Sequence, residues 1–318
     1  MKASVAETKG GAGPHVALFA VQLIFGTWPI AGKIALRGLP STGLVAIRVG
    51  CAAAAFILLR RLTGPLDLPR RKDLARFALY SLLGVVLNQF LFTKGLAHST
   101  VVNATLLSTS IPVFTLIVGA LLGYEKLSAR VLTGTLVAAA GVVYLVDPFQ
   151  AELAGEKTFG NVLLVANTFC YGAYIAVSKE AFIRHGALTA MTWVFTFGAV
   201  FAVPVGGYTF ALEGPPAAGW ETWAAVAYIV LIPTVFAYYL NAWALERVSA
   251  STVAVYIYLQ PLIAFAVAPL VLGADEQWGP RTYVAAALIF VGVAFVTLRG
   301  RAGLSEIETS EHPDAPGR

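Results

Sequence analysis

Ten apolar stretches of about twenty residues follow one another along this chain, and nearly all its charge lies between them. They fall near 15–36, 42–59, 75–95, 101–122, 128–147, 160–180, 187–210, 221–243, 250–272 and 281–298. Twenty residues of α-helix rise about 30 Å, which matches the hydrocarbon core of a bilayer. Apolar residues make up 58% of the chain and charged residues 12%, with a mean hydropathy of +0.76. A soluble domain carries roughly twice that charged fraction. The pattern therefore specifies an all-α polytopic membrane protein with ten transmembrane helices and excludes a large soluble core. Basic residues sit in short loops rather than on one folded face, so no nucleic-acid partner is expected. Cys51 and Cys170 fall inside apolar stretches, without CxxC or Cys/His spacing, and read as packing residues rather than a disulfide or metal pair.

The chain also repeats itself. His98–Leu122 and Arg247–Leu272 both enter through small and hydroxylated residues, and an offset of 149 residues sets Pro112 on Pro261 and Asn103 on Thr252. The sequence Phe25-Gly26-Thr-Trp28-Pro-Ile-Ala-Gly-Lys33 in span one answers to Tyr171-Gly172-Ala-Tyr174-Ile-Ala-Val-Ser-Lys179 in span six. Gly141-Val142 likewise answers to Gly292-Val293. Five spans per half force the second half to cross in the opposite sense, so two inverted five-helix repeats are expected. Repeats of that kind place a binding site at their interface near the bilayer midplane. The expected layout is a disordered cytoplasmic arm over 1–14, repeats over 15–147 and 160–298 joined by an external linker at 148–159, and a disordered cytoplasmic tail over 299–318. The first span is too long for a typical signal-peptide core and is followed by further spans, so it reads as uncleaved.

Loop charge sets the orientation. With the N-terminus cytoplasmic, 16 of the 22 basic residues fall on the cytoplasmic side, among them Arg60, Arg61, Arg70, Arg71, Lys72 and Arg184. That asymmetry satisfies the positive-inside rule and predicts both termini in the cytoplasm of a bacterial-type inner membrane.

Polar side chains inside the spans mark the candidate site. Span three carries Asn88, Gln89 and, one turn on, Phe92; its counterpart, span eight, carries Tyr238 and Asn241. Asn167, Tyr171, Tyr174 and Ser178 share one helical face in span six, as do Thr252, Tyr256 and Gln260 in span nine. With Trp28 and Asn103, the Asn, Gln and aromatic members of these stripes are read as a substrate-binding lining. The Ser and Thr members are read as interhelical hydrogen bonds. Pro112 and Pro261 lie inside apolar spans, where proline removes a backbone hydrogen bond that lipid cannot replace. Both are read as gating elements, with Lys33 and Lys179 near opposite faces; for the lysines an interfacial anchor is the competing reading. Arg48 lies inside span two, about two turns from its outer end, and its stem is long enough to snorkel outward; snorkelling or a carbonyl contact is the first reading and substrate binding the competing one.

These halves resemble the EamA-type branch of the drug/metabolite transporter superfamily. The resemblance rests on Gly26…Lys33, Gly172…Lys179, Pro112 followed by Glu125 and Gly134, and Pro261 followed by Glu276 and Gly292, and it covers about 15–298. The sequence departs from that pattern at Phe25, where many relatives carry tryptophan. The resemblance implies a ten-helix carrier of small metabolites, often amino acids, with its cavity mainly between spans 1, 3, 4, 6, 8 and 9.

Neither HExxH nor GxSxG occurs, and no Walker or Rossmann glycine loop does, so no enzyme, ATP-driven pump or cofactor is expected. No Asp or Glu lies mid-span and every His lies near a span end or in a tail, which points away from a buried proton relay. The expected function is transport by alternating access of a small neutral or zwitterionic metabolite, an amino acid first, with export as the expected direction. A passive channel or facilitator and a non-transporting scaffold are the competing readings. The expected partners are the substrate and membrane lipid, for a monomer or homodimer.

Overall fold

A computed structural model describes residues 12–65, 69–123, 129–146, 156–214, 216, 218–248, 250–273 and 279–297. Most of the predicted arm and linker, the whole tail, and the loops bearing Glu125 and Glu276 lie outside those residues.

Among the described residues all regular structure is helical. The first helices are α1 (Ala12–Ala35), α2 (Ser41–Thr63) and α3 (Arg71–Ser81), the last running through a π-helical turn at Leu82–Leu87 into α4 (Asn88–His98). Next come α5 (Val101–Ser108), α6 (Ile111–Leu121), α7 (Ala129–Val146), α8 (Glu156–His185) and α9 (Ala187–Glu213). Helix α10 (Trp220–Ile229) passes through a second π turn, Val230–Phe236, into α11 (Ala237–Leu245). The chain closes with α12 (Ala250–Val255), a 3-10 turn at Tyr256–Leu259, α13 (Gln260–Leu272) and α14 (Pro280–Thr297). Among the described residues, seven helical stretches are long and apolar enough to cross a membrane. Span two, expected to be the shortest, is one of them and runs 23 residues as α2.

The local chemistry explains the breaks. Ser108 and Thr109 turn their hydroxyls back onto the carbonyls of Ala104 and Leu106, at 2.8 and 2.6 Å, closing α5. Pro112 then stands in the first turn of α6, where a helix has unpaired N–H groups in any case. Pro261 occupies the same place in α13. Each proline therefore heads a new helix rather than kinking a continuous one. Gly186, at φ 77°, makes the sharp turn from α8 into α9, a backbone setting that favours glycine.

Small residues bring the helices close. A Cβ on Gly26 would stand 2.8 Å from Ile263 Cβ, and one on Gly172 2.8 Å from Phe114 Cβ and 2.9 Å from the Ile111 carbonyl. These two contacts exchange: Gly26 and Gly172 are 146 residues apart, Phe114 and Ile263 are 149 apart, and each glycine packs on the other one's part of the chain. The solvent distribution is that of a lipid-facing body. Leu62, Leu121, Trp220 and Leu270 stand outward, while Gln22, Arg48, Gln89 and Asn167 are buried.

Candidate functional site

The buried polar groups converge on a central cavity of ≈ 60 Å3. Helix α1 supplies Phe25, Trp28 and Pro29, and α4 supplies Asn88, Gln89 and Phe92. The opposite wall is Asn167 and Tyr171 of α8, Tyr238 of α11 and Gln260 of α13, with Ser108 and Ile111 at the α5–α6 break. Arg48 of α2 enters from the side.

Hydrogen bonds set the shape of this lining. Tyr238 is the hub: its hydroxyl accepts from Gln89 Nε2 at 2.7 Å and donates to Asn88 Oδ1 at 3.0 Å. Gln89 and Tyr238 are 149 residues apart, the offset at which the sequence repeats. Asn167 Nδ2 donates to the Asn88 carbonyl at 2.8 Å, and Gln260 Nε2 to Gln22 Oε1 at 2.6 Å. Aromatic faces complete the wall: Trp28 stacks on Phe92 with centroids 5.8 Å apart, and Phe25 meets Tyr238 edge-on at 5.8 Å.

Arg48 does not snorkel. It is 1% exposed, and its guanidinium lies 3.9 Å over the Trp28 ring. Its Nε and Nη2 both donate to Thr234 Oγ1, at 3.2 and 3.0 Å. The cause lies in the second π turn. Pro233 has no N–H to give the carbonyl of Ile229, the chain there takes π-helical pairing, and the Thr234 hydroxyl also donates to that carbonyl, at 2.6 Å. That bond leaves the Thr234 oxygen lone pairs for Arg48. Nη1 is buried and, among the described residues, has no hydrogen-bond partner. No carboxylate is found among the described residues lining the cavity. A buried cation is costly in a membrane interior, so an anionic group entering here finds a donor already in place.

Seven of the eleven residues expected to bind substrate line this cavity: Trp28, Asn88, Phe92, Asn167, Tyr171, Tyr238 and Gln260. The other four support it or lie apart. Tyr174 is buried one turn beyond Tyr171, stacked on it at 5.7 Å and seated against Gly84. Asn241 Nδ2 donates to the Tyr171 hydroxyl at 3.3 Å. Asn103 Nδ2 reaches Asn161 Oδ1 at 3.3 Å, which also accepts from Ser99, tying α5 to α8. Tyr256 meets His15 Nδ1 at 2.8 Å. Lys33 lies half-buried in the last turn of α1, and Lys179 half-buried in α8; neither lines the cavity. Pro112 and Pro261 lie immediately beside the lining residues Ile111 and Gln260.

Sequence reasoning overlooked Gln22, whose signal was a lone amide inside span one. It also set snorkelling or a carbonyl contact for Arg48 ahead of an inward role; the Pro-Thr pair at 233–234 in a facing span was the available clue.

The model of the EamA-like transporter family matches this chain twice, over residues 14–146 and 158–298. The chain belongs to that family. Membership and the seven long apolar helices make this EamA-like chain an integral membrane protein with the character of a transporter. Among its relatives is an uncharacterized transporter of Archaeoglobus fulgidus, 28% identical over 255 residues, spanning 78% of this chain and 85% of the relative. Another is a probable terminal-alkyne amino-acid exporter of Streptantibioticus cattleyicolor, 26% identical over 95% of this chain and 98% of the relative. A WAT1-related protein of Arabidopsis thaliana is 24% identical over 88% of this chain and 80% of its own length. A solved crystal structure shares the fold with a TM-score of 0.64 at 21% identity, covering 92% of this chain and all of the other.

Proposed function

We propose that this protein is a secondary carrier that moves a small zwitterionic metabolite, an amino acid, across the inner membrane by alternating access. The observation that carries the reading is the buried Arg48, which lines the cavity with no carboxylate among the described lining residues and whose Nη1 has no hydrogen-bond partner among the described residues. An amino-acid carboxylate answers that cation. Trp28, Phe92 and Tyr171 offer faces to an apolar side chain, and the amides of Asn88, Gln89 and Asn167 can orient polar groups without adding charge. A dianion needs more than one cation, and among the described lining residues Arg48 is the only one.

The cavity's ≈ 60 Å3 has room for a few waters, not a metabolite. A carrier in this state must part its halves to load, as alternating access requires. Two matches to the family model and the exchanged Gly26 and Gly172 contacts support two repeats related by a two-fold axis near the Gln89–Tyr238 bond. Five spans in each make the repeats inverted and the total ten, with both termini cytoplasmic and Pro112 and Pro261 at the breaks that let each half open. Export is favoured by the exporter of Streptantibioticus cattleyicolor, which aligns over almost its whole length.

The test is counterflow in proteoliposomes loaded with phenylalanine, with phenethylamine and a sugar phosphate as comparisons. The carrier reading expects labelled phenylalanine to be taken up faster against an unlabelled internal pool. Flux indifferent to the internal pool would show a channel, and movement of the sugar phosphate alone would overturn the charge argument.

A further inference from the structure

Two residues lining the central cavity stand four positions ahead of a proline: Phe25 before Pro29 in α1, and Ser108 before Pro112 in α6. A helical carbonyl is paired by the N–H four residues on, and proline has none. The Phe25 and Ser108 carbonyls therefore lack their helical partners. Phe25 and Pro29 share one face of α1 and both line the cavity, so the open carbonyl lies on that face. At the α5–α6 break the amides of Val113 and Phe114 both turn to the Ser110 carbonyl, at 3.1 and 3.2 Å. The nearby hydroxyls are spent on other carbonyls. Thr27 Oγ1 donates to Ile24 at 2.8 Å, and Ser108 Oγ to Ala104 at 2.8 Å. Ahead of Pro233, by contrast, the Ile229 carbonyl receives the Thr234 hydroxyl.

A third acceptor joins these two. Asn167, 2% exposed, gives its Nδ2 to the Asn88 carbonyl at 2.8 Å. A carbonyl can only accept, so the amide nitrogen must face it, and Oδ1 is the end left over. Asn167 also lines the cavity.

We propose that the Phe25 and Ser108 carbonyls and Asn167 Oδ1 form a seat for a primary ammonium. The three N–H groups of R–NH3+ match three uncharged acceptors. This inference rests on the amino-acid reading above and deepens it: Arg48 takes the carboxylate and the seat takes the α-ammonium. It restricts the substrate to a free primary amine. An aromatic cage of Trp28, Tyr171 and Tyr238 would accept a quaternary ammonium as well. The acceptor seat rejects that group, which carries the charge but no N–H and leaves buried oxygens unpaired.

The test compares binding of three ligands to the purified full-length protein. They are phenylalanine, its N,N,N-trimethyl betaine, and 3-phenylpropanoate, which keeps the ring and carboxylate but has no amine. One charge-assisted hydrogen bond is a factor of about 10 to 150, so each analogue should bind at least about 100-fold more weakly than phenylalanine. Pro29→Ala supplies the N–H that the Phe25 carbonyl lacks, and Asn167→Leu removes the third acceptor. Each should weaken phenylalanine about tenfold more than it weakens 3-phenylpropanoate. Pro204→Ala, in α9 and away from the cavity, should weaken neither. The ligand series on the wild type decides the matter even where a variant fails to fold. A betaine bound as tightly as phenylalanine would put an aromatic cage in place of the seat. Equally tight 3-phenylpropanoate would show that no ammonium is held. Either result, or equal weakening of both ligands by Pro29→Ala and Asn167→Leu, overturns the seat and leaves the carrier reading intact. Phenylalanine that neither binds nor exchanges overturns both.

Discussion

Replacing Arg48 with glutamine separates a specificity device from a packing residue. A charge-assisted hydrogen bond contributes about 1.5–3 kcal/mol, and each 1.4 kcal/mol is a tenfold change in affinity. Losing the bond from Nη1 to a substrate carboxylate should therefore weaken an amino acid about 10- to 150-fold. Phenethylamine, which lacks the carboxylate, should bind the variant as it binds the wild type. Stability moves in two directions at once. The variant sheds a buried charge that costs about 2.5–3.5 kcal/mol near a bilayer centre. It also forfeits the bonds to Thr234 and a desolvated stack on Trp28, the latter about 2 kcal/mol. These nearly cancel, so Tm should shift by no more than about 4 °C. Arg48→Lys keeps the charge but not the planar fork, and should fall between wild type and Arg48→Gln. The assay is binding of labelled phenylalanine and phenethylamine to purified protein beside its melting curve. Equal weakening of both ligands at unchanged Tm would refute the reasoning, and so would wild-type affinity for phenylalanine.

Three further outcomes are expected. Gly172→Ala forces a Cβ to within 2.9 Å of the Ile111 carbonyl and should cost about 1–3 kcal/mol, read as a lower Tm, while Gly207→Ala meets nothing within 4 Å and should be neutral by that measure. Pro112→Ala and Pro261→Ala should leave the melting temperature close to wild type, because each proline sits in a first helical turn, yet slow counterflow by favouring opposite facing states; unchanged exchange in both would reduce the prolines to packing. In a cysteine-free background, cysteines at Ser4 and Ser310 should resist an impermeant reagent in intact cells, and labelling of either from outside would reverse the topology.

Much of the cavity could be read from helical spacing, because stripes such as Asn167–Tyr171 put polar groups on one face. Spacing does not say how far along a helix the cavity extends, nor which neighbour a polar group meets. Tyr174 shares the face of Tyr171 but lies a turn deeper, against Gly84, and Asn103 found Asn161 instead of the cavity. Arg48 shows the limit most clearly. Its stem reaches either the membrane surface or the interior, and the groups that turn it inward, Trp28 and Thr234, lie 20 and 186 residues away.

What the sequence determines by itself is local or additive. Apolar length sets which segments can lie in lipid, since every backbone group there must be bonded within its own helix. The Ser108-Thr109-Ser110-Ile111-Pro112 run sets a break, because hydroxyls close one helix and proline opens the next. The repeat of those local signals is visible as a constant offset. The tertiary structure alone decides which polar side chains share a space. Tyr238 accepts from Gln89 across 149 residues, and Arg48 is held by the Thr234 hydroxyl, which itself donates to the Ile229 carbonyl in the turn around Pro233. Such convergence depends on how each helix is rotated and how deep it sits, and those are set by close contacts such as Gly26 on Ile263 and Gly172 on Phe114. Each of those contacts joins residues far apart in the chain, so no window of sequence contains both partners.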